Sequence, residues 1–334
     1  MVTSRPSGGY GLEPVISQRA IEAIEYSDTD ELLRVVDGLC ENGDWDQLVE
    51  LKERCREAVG RGKQLWGVEE HIRYRLTLEA PAKWAGPAVS EGAARFTLGP
   101  LPEVAASTKT WAELDEYLDD GPWRAVTAAE RVVRGDPDTE SIADLPNSLL
   151  DWEPEYPVAT YKPDKVEAPS PSLPTVETAE LPDGFTTIDD PESEGALFDL
   201  IQPWVTESNG RYETSAVEGT ALHAIRGLGL TRVRIGPLND TEAIRWMAWA
   251  GASGGAHGHR RGAAAGRYGA WWAIATLCDR DWPPDPEQMR EALQGLDFVW
   301  FDDGSPGTGW GLRLAIGDRD SGLAWAISAV DAAD

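Results

Sequence analysis

The chain has 334 residues and a mass of 36.4 kDa, with 58 acidic against 30 basic residues and a formal net charge of -28. A hydrophobic fraction of 41% suffices for a sizeable core and excludes a fibrous chain, and three cysteines exclude a disulfide scaffold. The charge also excludes general nucleic-acid binding, which needs Lys and Arg in excess against phosphate.

Met1–Tyr10 carries no apolar run followed by a small-residue cleavage site, which predicts no secretory signal. No stretch of about 18 apolar residues occurs, which predicts no membrane span. The expected compartment is the cytoplasm. Cys40 and Cys55 fall within helical patterns, where small buried hydrophobes are expected.

Residues 1–135 read as an all-α domain of helical hairpins. Leu32, Val35, Val36 and Leu39 fall on one helical face, and Asn42-Gly43 stops that helix. Asp44 can cap the next, which carries Trp45, Leu48, Leu51, Cys55 and Val59. A third helix starts near Leu65, and further helical segments cover Trp111–Leu118 and Trp123–Val133. Helix starts keep no fixed period, so a regular solenoid is not expected.

Residues 136–199 hold 17 acids, 2 bases and ten of the 23 prolines. So little apolar surface against so much like charge predicts a disordered, extended, acidic Pro-rich linker. Trp152, Tyr156 and Tyr161 are its candidate anchors for a basic partner.

Residues 200–334 read as an α+β domain in the order β, α, β, α, α, α, β, β, α. Tyr212–Val217 is read as a strand or a helix start. Val233 and Ile235 alternate with Arg232 and Arg234 in a strand closed by Gly236-Pro237. Asp297–Phe301 and Trp310–Ile316 read as strands, and Gly322–Val330 as a last helix.

One segment of this domain stands apart. Residues 220–278 carry seven arginines against two acids, within an otherwise acidic chain. Glycines let backbone N–H groups approach a ligand, the N-terminus of the following helix is partly positive, and guanidinium groups fork onto oxyanions. Gly254, Gly255, His257, His259, Arg260, Arg261 and Arg267 are therefore candidate anion-binding residues. Neither a phosphate-binding loop nor a dinucleotide fingerprint is present, because no Gly-Lys-Ser/Thr follows and the glycine spacing differs. The competing reading is tight helix packing: Gly262 and Gly266 lie four residues apart on one face, with Trp271 and Trp272 as core plugs. His257 and His259 lack a matching Cys/His pair for zinc, so no metal site is expected. The serines lack a nucleophile elbow.

The run Gly254 to Trp272, with Trp282-Pro-Pro-Asp-Pro286, Thr308 to Ile316 and Gly62-Lys-Gln-Leu-Trp66, resembles a group of uncharacterised actinobacterial proteins. The resemblance implies a two-part chain in a bacterial cytoplasm and carries no catalytic residues or cofactor. The expected function is a non-enzymatic interaction or regulatory protein whose partner is another protein. The alternative is an enzyme or sensor that binds a phosphorylated small molecule or nucleotide at 254–267.

Overall fold

The computed structural model describes residues 16–136, 144–304 and 309–332. Among these the protein is α+β, with 13 α-helices and two sheets. Eight helices come first: α1 (Gln18–Tyr26), α2 (Thr29–Asn42), α3 (Trp45–Gly60), α4 (Trp66–Glu79), α5 (Ala82–Ser90), α6 (Leu101–Thr108), α7 (Trp111–Leu114) and α8 (Pro122–Val133). Their ends follow local chemistry. Asp28 caps α2 by accepting the Glu31 N–H, and Gly43 closes it at φ 71, where a side chain would be strained. Leu32, Val36, Leu48, Leu51, Cys55 and Ile72 build one core between α1 and α4. A second core, including Tyr74, Val104, Leu114 and Ala128, joins α4 to α8.

The middle of the chain overturns the expectation of a disordered linker. Residues 137–143 lie outside the described residues, but 144–161 and 181–199 bury side chains against the rest of the protein, while much of 162–180 is exposed. Residues 144–199 form the hairpin β1 (Thr160–Tyr161) and β2 (Val166–Glu167), and then β3 (Glu177–Glu180) and β4 (Thr186–Thr187). Leu145, Tyr156, Ala159, Tyr161 and Leu181 are buried. The aromatics expected to dock a partner serve the protein itself: Trp152 packs on Trp271, with ring centroids 5.1 Å apart, and Tyr161 closes the core around Tyr74 and Val104. Composition missed this because a few well-placed apolar residues, and strand pairing at sheet edges, supply the ordering that mean hydropathy does not.

The remainder comprises α9 (Pro191–Thr206), β5 (Arg211–Glu218), α10 (Ala221–Gly227), β6 (Arg232–Leu238), α11 (Asp240–Ala252), α12 (Ala263–Leu277), α13 (Pro286–Gly295), β7 (Leu296–Asp302), β8 (Trp310–Asp318) and β9 (Leu323–Asp331). The strand β6 runs through Gly236-Pro237 rather than stopping there. The expected last helix over 322–330 is instead β9, paired along its length with β5 and β8. Trp325, Ile327 and Ala329 point to one side and Ala324 and Ala326 to the other, which is strand periodicity.

The large sheet is antiparallel, in the order β3-β6-β7-β8-β9-β5-β4. One face buries Phe298, Trp300, Leu314, Ile316, Trp325 and Ile327 with α9, α11 and α12. The other packs Phe301, Ala315, Ala324 and Ala326 against Ala221, Ala224 and Ile225 of α10. The two edge strands are joined by only the five residues Leu181–Phe185, which reach at most ~22 Å. Six interstrand spacings in a flat sheet would need ~29 Å. The sheet therefore curls around α10, and Leu181 and Phe185 cross over that helix as a strap.

Candidate functional site

The Gly/His/Arg segment links α11 to α12, and its glycines allow close approaches. A Cβ on Gly251 would lie 3.2 Å from the Cα of Gly266, and one on Gly266 would press on the Ala248 carbonyl. The helices α11 and α12 thus meet backbone to backbone, as the packing reading expects of Gly266. Gly262 has another task. At φ 99 it starts α12, and a side chain there would meet the Glu130 carboxylate. Gly255, at φ 73, lets the chain turn over Asp331, whose Oδ2 accepts the Ala256 N–H at 2.6 Å.

Each candidate side chain has a definite place. Arg260 donates from Nε and Nη2 to the two oxygens of Glu103, both at 2.8 Å. Arg261 donates to carbonyls: Gly251 at 2.8 Å and Asp199 at 2.9 Å. The second has a clear cause, because Pro203 within α9 has no N–H to offer the Asp199 carbonyl four residues back. Arg267 forks onto Glu153 at 2.7 Å on both oxygens and also holds the Pro146 carbonyl at 2.9 Å. His259 faces acceptors at both ring nitrogens, Glu207 Oε2 at 2.7 Å and the Arg95 carbonyl at 3.1 Å. The His259 N–H and ring together hold the Glu207 carboxyl below its ordinary range. His257 is exposed, and its N–H is taken by Ser208.

A cleft of about 1170 Å³ opens beside this segment, between the first eight helices and the C-terminal part. Gly254, Gly255, His259, Arg260 and Arg261 line it, whereas His257 and Arg267 do not. Its other walls include Arg95 and Trp123 from the helical part, Val166 from β2, and Trp249 and Trp310. Three tryptophans and several glycines thus share the lining with the charged Glu70, Arg95 and Glu207, a mixed apolar and polar composition found in small-molecule sites.

Two residues that the sequence did not single out organise the region. Glu103 is fully buried and also accepts the Tyr161 hydroxyl at 2.6 Å and the Ala263 N–H at 3.2 Å. Burial alone would raise its pKa, but the Arg260 guanidinium holds it below the ordinary range. Glu130 is also fully buried and accepts the Ala264 N–H at 2.9 Å. Burial first, and the charge of Glu103 second, push its pKa up to about 8. The positive end of α12 is therefore already met by the chain's own carboxyls. Each glutamate has apolar neighbours, Glu103 in Leu-Pro-Glu-Val-Ala-Ala and Glu130 with Val126 and Val133 one turn to either side. An acid on an apolar helix face was the signal available.

Among the described residues no cluster of three or more His, Cys, Asp or Glu is placed to hold a metal ion, and no helix is long and apolar enough to cross a membrane. No curated protein and no solved structure matches the chain. A family model described as a family of unknown function, DUF6183, matches residues 30–328, and the chain belongs to that family.

Proposed function

We propose that this is a cytoplasmic, non-enzymatic regulatory protein that recognises its ligand in the cleft beside the Gly/His/Arg segment and passes that occupancy to a protein partner. One observation carries the reading. The polar side chains of the Gly/His/Arg segment that line the cleft, His259, Arg260 and Arg261, are each hydrogen-bonded by the chain itself, so they shape a wall. Recognition then falls to the rings of Trp123, Trp249 and Trp310 and to the backbone of Gly254 and Gly255. The test is thermal unfolding of the full chain against nucleotides, phosphosugars, inorganic phosphate and aromatic amines, beside Trp310→Ala. A ligand at about 100 times its Kd adds ~2.7 kcal/mol. A rise in Tm that Trp310→Ala loses supports the cleft as the site, and a rise it retains places the ligand elsewhere. Cross-linking in cells followed by native purification tests the partner, and recovery of the chain alone counts against it.

A second reading, an enzyme or sensor acting on a phosphorylated small molecule or nucleotide, draws on the same wall. Five of the seven candidate anion-binding residues line the cleft. It requires the anion to compete with Glu103 for Arg260. Chemical change in the bound compound, followed by phosphorus NMR, separates this reading from the first.

A further inference from the structure

Away from the cleft wall, α6 and α8 deliver two carboxyls to the first turn of α12, and their hydrogen bonding is unequal. Glu103 takes four donors, from Arg260 twice, Tyr161 and Ala263. Glu130 takes one, from Ala264, and its Oε2 is buried with no partner. The groups that face Glu130 are Glu103 from α6, Arg260 from the Gly/His/Arg segment, the Ala264 N–H from α12, Tyr161 from β1, and Arg134, four residues along from Glu130. Arg134 makes no hydrogen bond to Glu130: its Nη2 donates to the Ala159 carbonyl at 3.0 Å and stands 3.9 Å from Glu103. Its Nε is buried and unpartnered. An ionised Glu130 would lie buried beside a second carboxylate with a single hydrogen bond of its own, whereas a neutral one avoids that repulsion.

We propose that Glu103 and Glu130 hold one proton between them, carried on Glu130, and that its release to solvent moves Arg134 from the Ala159 carbonyl to Glu130, loosening the segment that enters β1. Arg134 is the residue that caps the end of α8, about one turn beyond Glu130, within reach of that new pair. The switch has two discrete arrangements, Arg134 on Ala159 or Arg134 on Glu130, and the proton selects between them. The direction of the pKa shift agrees. A carboxyl neutral in the fold and ionised in the unfolded chain makes stability fall as pH rises from about 4.5 to about 8.

The test is amide hydrogen exchange over residues 156–168, corrected for the intrinsic pH dependence of exchange, between pH 6 and 9. Wild type should lose protection there by about tenfold or more while the core of α3 does not change. Glu130→Gln, which keeps the acceptor for Ala264 and cannot ionise, should show a flat profile. Parallel profiles in wild type and Glu130→Gln would overturn the proposal. Should Glu130→Gln fail to fold, infrared spectra of wild type decide it. A buried protonated-carboxyl band at pH 6 that disappears by pH 9 supports the shared proton, and its absence at pH 6 refutes it.

Discussion

Arg260 reads in the sequence as a candidate ligand for a bound anion, and in the fold its guanidinium is held by a carboxylate of the chain itself. That carboxylate is Glu103, 157 residues upstream, and no local spacing can announce a partner so distant. The same holds for Arg267 and Glu153. Such pairs are costly to break from one side, because the remaining charge stays buried. Arg260→Ala should destabilise the protein by ~3–5 kcal/mol, measured by urea unfolding. Adding Glu103→Gln to that variant should return part of the loss, with a coupling of ~1 kcal/mol or more. Strictly additive effects would mean that Arg260 acts through packing alone. Lys109 offers a contrast at the same scale: buried, with its ammonium donating to the carbonyls of Thr77 and Leu78 near the end of α4, it has its pKa pushed down to about 8 by burial. It contributes as a cation at a helix C-terminus, where positive charge is favoured.

The elements were most readable where periodicity was strong, in α2 and α8, and least where alanine blurred it. The run over 322–330 looked helical because Ala is the best helix former. In the sheet those same alanines are the small residues that let α10 sit close, with Gly317 pressed near the Ala221 N–H. Glycines within helices make a matched pair of predictions. Gly38 in α2 has nothing within 4 Å of a Cβ, so Gly38→Ala should stabilise the protein by ~0.5–1 kcal/mol. Gly266 lies against the α11 backbone, so Gly266→Ala should destabilise it by ~1–3 kcal/mol despite the better propensity. Thermal unfolding of the two variants checks both signs, and a stabilising Gly266→Ala would show that α11 and α12 are not in backbone contact.

At the level of the whole molecule the acidic middle segment acts as mortar. Glu153 receives Arg267, the Trp271 indole and the Tyr156 hydroxyl, while Tyr161 reaches back to Glu103. Tyr156 and Tyr161 were legible as anchors, but their partners within the same chain were not, since net charge and proline content describe only a segment's average. Limited proteolysis gives the decisive contrast: brief digestion should leave 150–190 uncut, whereas a free linker would be cleaved there first. The strap over α10 carries a further consequence, for self-association. Without β3 and β4, the sheet would present β6 and the eight-residue β5 as bare edges, each a template for pairing with another copy. The strands that cover them are short, β3 begins and ends with a glutamate (Glu177 and Glu180), and both come from a single run of chain, residues 177–187. A single backbone break between Leu181 and Phe185 would therefore loosen the cover on both edges at once and turn a self-contained sheet into one that polymerises from either end.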